Sequence, residues 1–417
     1  MLSEFLLVLP DMGTGAAAII VFACMPDSRK ESNQWGAPPD KACNPPCFLY
    51  TGDSVMETTP QTNAQSTSSA PRIEWIDILK GLAILLVVIG HMEYAEGTAN
   101  PGKVLIGSFH MPLFFMLSGY TAALSLSRNP NLLNFIYRRF RSLMVPYICW
   151  MLALPCIYAT PELLSQYSFH STCMGILSGW GQWWFLPCLF LLQLVFVVYS
   201  LLCRRLKSGV WAGIIFLLLF AALYLGHRFG LPQLEKLPIK IFYIQHVYTM
   251  FLPFSLGVAM FELPRVKAAV TGSKLLASLA VVVFAVLCRA RSEFLPTYGW
   301  ILTGLSGCIL MASLFARTSQ ANTNRFGAAI LNQLKCFGKC SMAIYVLSYL
   351  LIPATPLFPD ASAPQLAVFC GNFLLGLVIC YACVGLKAII NLSPFLSAAF
   401  LGEFPKRKKV AEASTPN

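Results

Sequence analysis

Apolar stretches of about 20 residues recur from Ile73 to about residue 390, each long enough to cross the hydrocarbon core of a bilayer as a helix. That recurrence leaves few options. In hydrocarbon every backbone N–H and C=O must be satisfied within the structure, so only helices and closed barrels span it. The runs are too long and too continuously apolar for alternating barrel strands. The expected fold is an all-α polytopic membrane protein, a bundle of about ten transmembrane helices. The segments are 73–92, 104–126, 140–158, 183–202, 210–225, 241–261, 270–288, 296–315, 341–358 and 366–388. The seventh is the weakest, because Lys274 interrupts it. Composition agrees, with 57% hydrophobic and 12% charged residues, more apolar surface than a water-soluble domain carries.

The flanks read differently. Residues 1–25 hold two short apolar pieces broken by Pro10, Asp11 and Gly13, which fits neither a span nor a cleaved leader with a basic start. Residues 27–71 are polar and rich in Pro, Ser and Thr, too poor in apolar side chains to offset the entropy of ordering. Residues 1–72 are therefore expected to be a disordered N-terminal tail, 73–390 the ten-helix membrane domain, and 391–417 a basic C-terminal tail.

Charge gives the expected orientation. On a ten-span layout one set of loops holds Arg128, Arg138, Arg139 and Arg141, then Arg204, Arg205 and Lys207, then Arg265, Lys267 and Lys274, then Arg317, Arg325, Lys335 and Lys339, and finally the tail Lys406 to Lys409. The opposite loops are poorer, and 159–182 and 359–365 contain no Lys or Arg. By the positive-inside rule both termini are cytoplasmic. The net charge of +12 then reports topology and contact with anionic lipid, and calls for no nucleic acid.

One span carries ionisable groups. Residues 77–91 read DILKGLAILLVVIGH, and burying Asp77, Lys80 and His91 costs several kcal/mol unless they are paired or used. Eleven residues separate Lys80 from His91, about three turns and ~16 Å, so both point to nearly one face. Asp77, three residues before Lys80, can pair with it on that face. The structural alternative is that Asp77 and Lys80 neutralise each other at the interface while His91 sits among headgroups.

Neighbouring motifs shift the balance. The second span opens FHMPLFFMLSGY (109–120), which places His110 two turns below the outer surface, across a short loop from His91. Pro112 removes one backbone hydrogen bond there. The next inner loop supplies YRRFRSLMVPY (137–147), where Arg138, Arg139 and Arg141 cluster at the mouth of the third span. Guanidinium forks match phosphate oxygens, although inner arginines also follow from topology alone. Trp180, Trp183 and Trp184 are expected in an interfacial aromatic belt, with stacking on a sugar ring as the alternative. His170, His227 and His246 receive no role. Cys149, Cys156, Cys188, Cys308, Cys380 and Cys383 lie inside spans as small hydrophobes, and the C-x3-C pairs Cys43/Cys47 and Cys336/Cys340 lack nearby histidines, so no metal site is expected.

Taken in order, DILKGLAILLVVIGH, FHMPLFFMLSGY, RRFRSLMVP and GQWWFLPCLFLLQL (181–194) resemble successive blocks of the membrane-bound acyltransferase type 3 family, especially its fucose 4-O-acetylase-like branch. The resemblance covers about residues 72–390. It implies acyl transfer, usually of acetyl from cytoplasmic acetyl-CoA as donor substrate with no permanently bound cofactor, to a carbohydrate hydroxyl at the far membrane face. It also implies that His91 is the essential histidine, that Lys80 is the basic residue eleven positions before it, and that Arg138, Arg139 and Arg141 bind the donor's phosphates. The chain departs from the family in one block, reading SMAIYVLSY with Ser348 where many members have histidine.

Chemically, a neutral imidazole at His91 can take the proton of the attacking hydroxyl or act as a nucleophile through an acetyl-imidazole, and His110 can orient the acceptor. Sequence leaves both routes open. The competing class is a transporter or flippase with a Lys80/Asp77/His91 proton relay, but two matching halves with Gly/Pro-interrupted helices are not seen.

Overall fold

The computed structural model describes residues 73–95, 101–157, 169–179, 181–206, 209–226, 244–290, 296–318, 325–352 and 364–404. The expected N-terminal tail lies outside them, as do Cys43 and Cys47. Among the described residues every regular element is helical.

In chain order these are α1 (Glu74–Ala95), α2 (Pro101–Arg128), α3 (Leu132–Arg139), a π-helical turn (Phe140–Met144) and α4 (Val145–Ile157). There follow α5 (Phe169–Ser178), α6 (Phe185–Leu206), α7 (Gly209–Leu225), α8 (Ile244–Glu262), α9 (Pro264–Gly272), α10 (Lys274–Ala290) and α11 (Pro296–Thr318). The last are α12 (Arg325–Lys339), α13 (Ser341–Leu351), α14 (Gln365–Ile390) and α15 (Pro394–Leu401).

Each of the ten apolar segments falls on a helix, but among the described residues fewer than ten helices are long and apolar enough to cross a membrane. α1, α2, α6, α11 and α14 meet that test outright. The pairs α8/α9 and α12/α13, bent by 110° and 84°, raise the number to 7 if each counts as one broken span. The protein is thus an integral multi-pass membrane protein. The seventh segment is interrupted next to Lys274: its first residues belong to α9, which ends at Gly272, and α10 is too short to meet that test. The hydroxyl of Ser273 accepts from the Leu276 N–H at 3.1 Å and caps α10, which begins at Lys274.

The interior is organised by two close helix crossings. Where α1 passes α12, a Cβ at Gly81 would collide with the Leu334 carbonyl and one at Gly338 with the Asp77 carbonyl. Where α2 passes α8, a Cβ at Gly119 would meet the Phe254 carbonyl and one at Gly257 the Met116 carbonyl. Small residues let backbones approach in this way inside membranes. At the N-terminal end of α1, Glu74 reaches across to Lys335 of α12 at 2.7 Å.

The helices α2 and α8 run in the same direction. On the N-terminal side of their crossing, Phe115 and His246 both contact Trp184, with ring centroids 6.3 and 4.4 Å away. On its C-terminal side Tyr120 meets Phe261 at 5.5 Å. This brings the beginnings of α2 and α8 to one end of the bundle.

Beyond residue 390 the folded chain continues. Ser393 caps α15 by accepting from Leu396 N–H, Pro394 occupies its first position, and the helix lies against α4. There the Trp150 indole N–H donates to the Phe400 carbonyl at 2.9 Å.

Candidate active site

α1 is one continuous helix, so Asp77, Lys80 and His91 keep the stripe that their spacing implies, with all three side chains partly buried. α1 packs against α2 where a Cβ at Gly90 would stand 3.2 Å from the Ile106 side chain, which places His91 one residue from that contact on α1 and His110 one turn from it on α2. The Nδ1 of His110 is 2.7 Å from the Ile106 carbonyl oxygen. A carbonyl can only accept, so Nδ1 carries the proton, and in the neutral ring Nε2 is left as an acceptor. Pro112, one turn on, packs against Gly304 of α11, where a Cβ would stand 2.7 Å from its ring.

The arginine cluster is built by three local features. The side chain of Asn131 caps α3 through Asn134 N–H at 2.9 Å, Arg204 of α6 donates to the Pro130 carbonyl at 2.8 Å, and the π turn then re-aims the chain into α4. The Arg139 guanidinium lies 5.0 Å from the Phe135 ring centroid. That of Arg141 is 5.2 Å from Tyr137 and 3.6 Å from Phe404. Stacking occupies the faces of a guanidinium and leaves its N–H edge for an anion. Burial and the neighbouring charge of Arg138 lower the Arg139 pKa to about 10, which keeps it protonated at neutral pH. Among the described residues no carboxylate forms an ion pair with any of the three arginines.

The ring contacts along α6 set the height of this cluster relative to the histidines. Phe115 meets Phe185 at 4.9 Å, while Phe140 meets Phe190 at 5.9 Å and Phe135 meets Phe196 at 6.4 Å. The arginine segment therefore climbs back alongside α6 instead of staying at the foot of α2. Measured along α2 alone, Arg128 lies ~27 Å from His110 by helical rise. The route through Phe185 and Phe190 is five residues on each helix, ~15 Å in all, which brings the Phe140 neighbourhood far nearer to the histidines.

GQWWF places its rings inside the bundle. Trp183 is only 1% exposed and packs on Trp150 at 5.6 Å and Tyr349 at 6.3 Å, so it does not belong to a lipid-facing belt. Trp184 stacks on His246, and Trp180 lies outside the described residues. Tyr345 donates to the Gln182 carbonyl at 2.8 Å and fixes the turn that presents both tryptophans. Ser348 is buried on the same helix as Tyr345 and Tyr349. His246, given no role by its sequence surroundings, thus joins the histidine end of the bundle. Its signal was tertiary, a shared contact with Trp184. Two buried atoms along α6 lack hydrogen-bond partners among the described residues, Trp183 Nε1 and Gln193 Oε1.

A histidine pair, an arginine cluster without an ion pair among the described residues and a buried aromatic turn are thus assembled from the blocks that carried the family resemblance. The sequence profile of that family, described as an acyltransferase domain, matches residues 73–385. The chain belongs to the acyltransferase type 3 family. This acyltransferase is also similar to the nodulation protein NolL of Sinorhizobium fredii (strain NBRC 101917 / NGR234), 30% identical over 142 residues, covering 31% of the chain and 37% of NolL. The chain therefore spans little more than a third of that relative. No solved structure matches the acyltransferase. Membership of the family decides between the two function classes left by sequence, in favour of acyl transfer over a proton-coupled carrier.

Proposed function

We propose that the acyltransferase moves an acetyl group from cytoplasmic acetyl-CoA to a hydroxyl of a carbohydrate at the opposite membrane face, across a ten-span bundle with both termini cytoplasmic. The observation that carries this reading is an arginine cluster with no ion pair among the described residues, set between the heights of Phe190 and Phe196 on α6, about 15–24 Å by helical rise from the histidine end of the bundle. Arg138 is exposed and Arg139 and Arg141 are partly buried, so three like charges are gathered where an anionic ligand can reach them. Phosphates held by Arg138, Arg139 and Arg141, with Lys80 as a further cation, leave an extended arm to run toward His91. Trp183 Nε1 and Gln193 Oε1 offer a donor and an acceptor to an arm that contains amides.

At the histidine end the thioester carbonyl lies beside His91. The His91 imidazole accepts the proton of the acceptor hydroxyl as its oxygen bonds to the acyl carbon. The C–S bond then breaks, and the imidazolium returns the proton to the departing thiolate, so that CoA leaves as a thiol. His110, with Nε2 as acceptor, takes a hydrogen bond from a neighbouring hydroxyl of the sugar and so orients the acceptor. Trp184 and His246 supply an aromatic face and a polar edge beside it, the combination that suits a pyranose ring, in line with the fucose 4-O-acetylase-like character of the sequence blocks. Asp77 balances Lys80 on the α1 stripe.

The test is to incubate purified protein with acetyl-labelled acetyl-CoA and a panel of glycans and lipid-linked sugars. Label in an ester on one class of sugar is the expected result. Label retained entirely by acetyl-CoA across the panel, or transferred equally well from a small acyl donor without phosphates, contradicts the proposal.

A further inference from the structure

We propose that the turn Gly402–Glu403–Phe404 is a working part of the donor site, and that Phe404 is a positioning residue for Arg141. This rests on the donor reading above. Sequence places residue 391 onward in a basic tail, yet this turn lies directly against the arginine segment. Gly402 adopts φ 66°, and a Cβ there would stand 2.6 Å from the Ser142 carbonyl and 3.0 Å from the Pro146 ring. Only glycine meets both demands. That close approach lets the next residues pass directly beneath the π turn, where the Phe404 ring centroid comes to 3.6 Å from the Arg141 guanidinium carbon.

The turn is anchored independently of Arg141. Glu403 bonds Lys387 of α14 at 2.6 Å and accepts from the Asn391 amide at 3.2 Å. Ser397 donates to Asn391 Oδ1 at 2.8 Å, and Trp150 holds the Phe400 carbonyl. This arrangement has an electrostatic consequence. The carboxylate closest in sequence to the arginine contact is turned toward Lys387, so it does not neutralise Arg141. The aromatic ring that follows it takes the guanidinium face instead. Tyr137 and Phe404 both lie against the Arg141 guanidinium, and among the described residues no carboxylate pairs with its N–H groups, which leaves them to a phosphate. Arginine side chains otherwise lose rotamer freedom on binding, and a pre-stacked one loses less.

The experiment uses the full-length protein in detergent and measures the donor KM, the acceptor KM and kcat for wild type, Phe404→Leu, Phe404→Trp, Arg141→Ala and the double variant Phe404→Leu/Arg141→Ala. Phe404→Leu keeps the apolar contact with the turn but removes the π face. The expected result is a donor KM raised by about 3- to 10-fold in Phe404→Leu, near wild type in Phe404→Trp, with kcat and acceptor KM unchanged. Arg141→Ala raises the donor KM at least as much, and adding Phe404→Leu to it has no further effect. If Arg141→Ala leaves the donor KM unchanged, the donor reading itself fails. If Arg141→Ala raises it and Phe404→Leu does not, or if the two effects add, only the positioning role is overturned. A melting temperature for each variant separates these outcomes from loss of fold: a raised donor KM that tracks a lowered melting temperature across the series, with Phe404→Trp not rescued, also overturns the role.

Discussion

His110 donates its Nδ1–H to the Ile106 carbonyl at 2.7 Å, and that bond determines which nitrogen can work on the substrate. Asparagine at 110 places an amide N–H where Nδ1 is, but offers nothing at Nε2. The expectation is that His110→Asn keeps the fold and the donor KM while acetyl transfer falls about 10- to 100-fold, the range for leaving a buried hydroxyl donor without its acceptor. Steady-state kinetics with saturating donor would show it. Wild-type turnover in His110→Asn would make His110 a purely structural residue.

Trp184 and His246, 4.4 Å apart, should govern the acceptor and not the donor. Trp184→Leu or His246→Leu is expected to raise the acceptor KM about 5- to 10-fold, the worth of one aromatic contact or one hydrogen bond, with the donor KM unchanged. Equal changes in both constants would mean that the pair merely supports packing between α6 and α8.

The close crossing of α2 and α8 predicts a stability effect unrelated to chemistry. Gly257→Ala drives a methyl into the Met116 carbonyl and should cost about 1–3 kcal/mol, read as a lowered melting temperature in detergent. Gly213→Ala on α7, where a Cβ meets nothing within 4 Å, should be neutral or slightly stabilising. A larger loss at position 213 than at 257 would refute the close-approach account.

Orientation can be read by labelling. Cysteines introduced at His170 and Arg265, both exposed, should react differently with an impermeant reagent in intact cells, His170→Cys labelling and Arg265→Cys remaining protected. The opposite pattern would invert the proposed topology.

What sequence could read and what it could not divide along physical lines. The apolar runs were legible because hydrocarbon allows them one structure, and the spacing of Lys80 and His91 was legible because helical rise is constant. α3, α5, α9, α12 and α15 were not legible as helices. They are short or mix polar with apolar side chains, so no long run announces them. The climb of Arg139 and Arg141 alongside α6 depends on a π turn and on the Phe135–Phe196 and Phe140–Phe190 contacts, which no local pattern encodes. Trp183 looked interfacial because tryptophans flanking a span often are, yet a turn held by Tyr345 folds it inward. Phe404 was hidden for a similar reason, since a phenylalanine beside a run of lysines reads as tail until Gly402 brings it under Arg141.

The most direct measurement of the central claim is acetyl transfer by His91→Gln, assayed with labelled acetyl-CoA and a sugar acceptor alongside donor binding by the same variant. Glutamine retains hydrogen bonding but takes no proton at neutral pH. The account predicts intact donor binding with transfer reduced by at least the 10²- to 10⁴-fold typical of general-base assistance. Near-normal turnover in His91→Gln would contradict it.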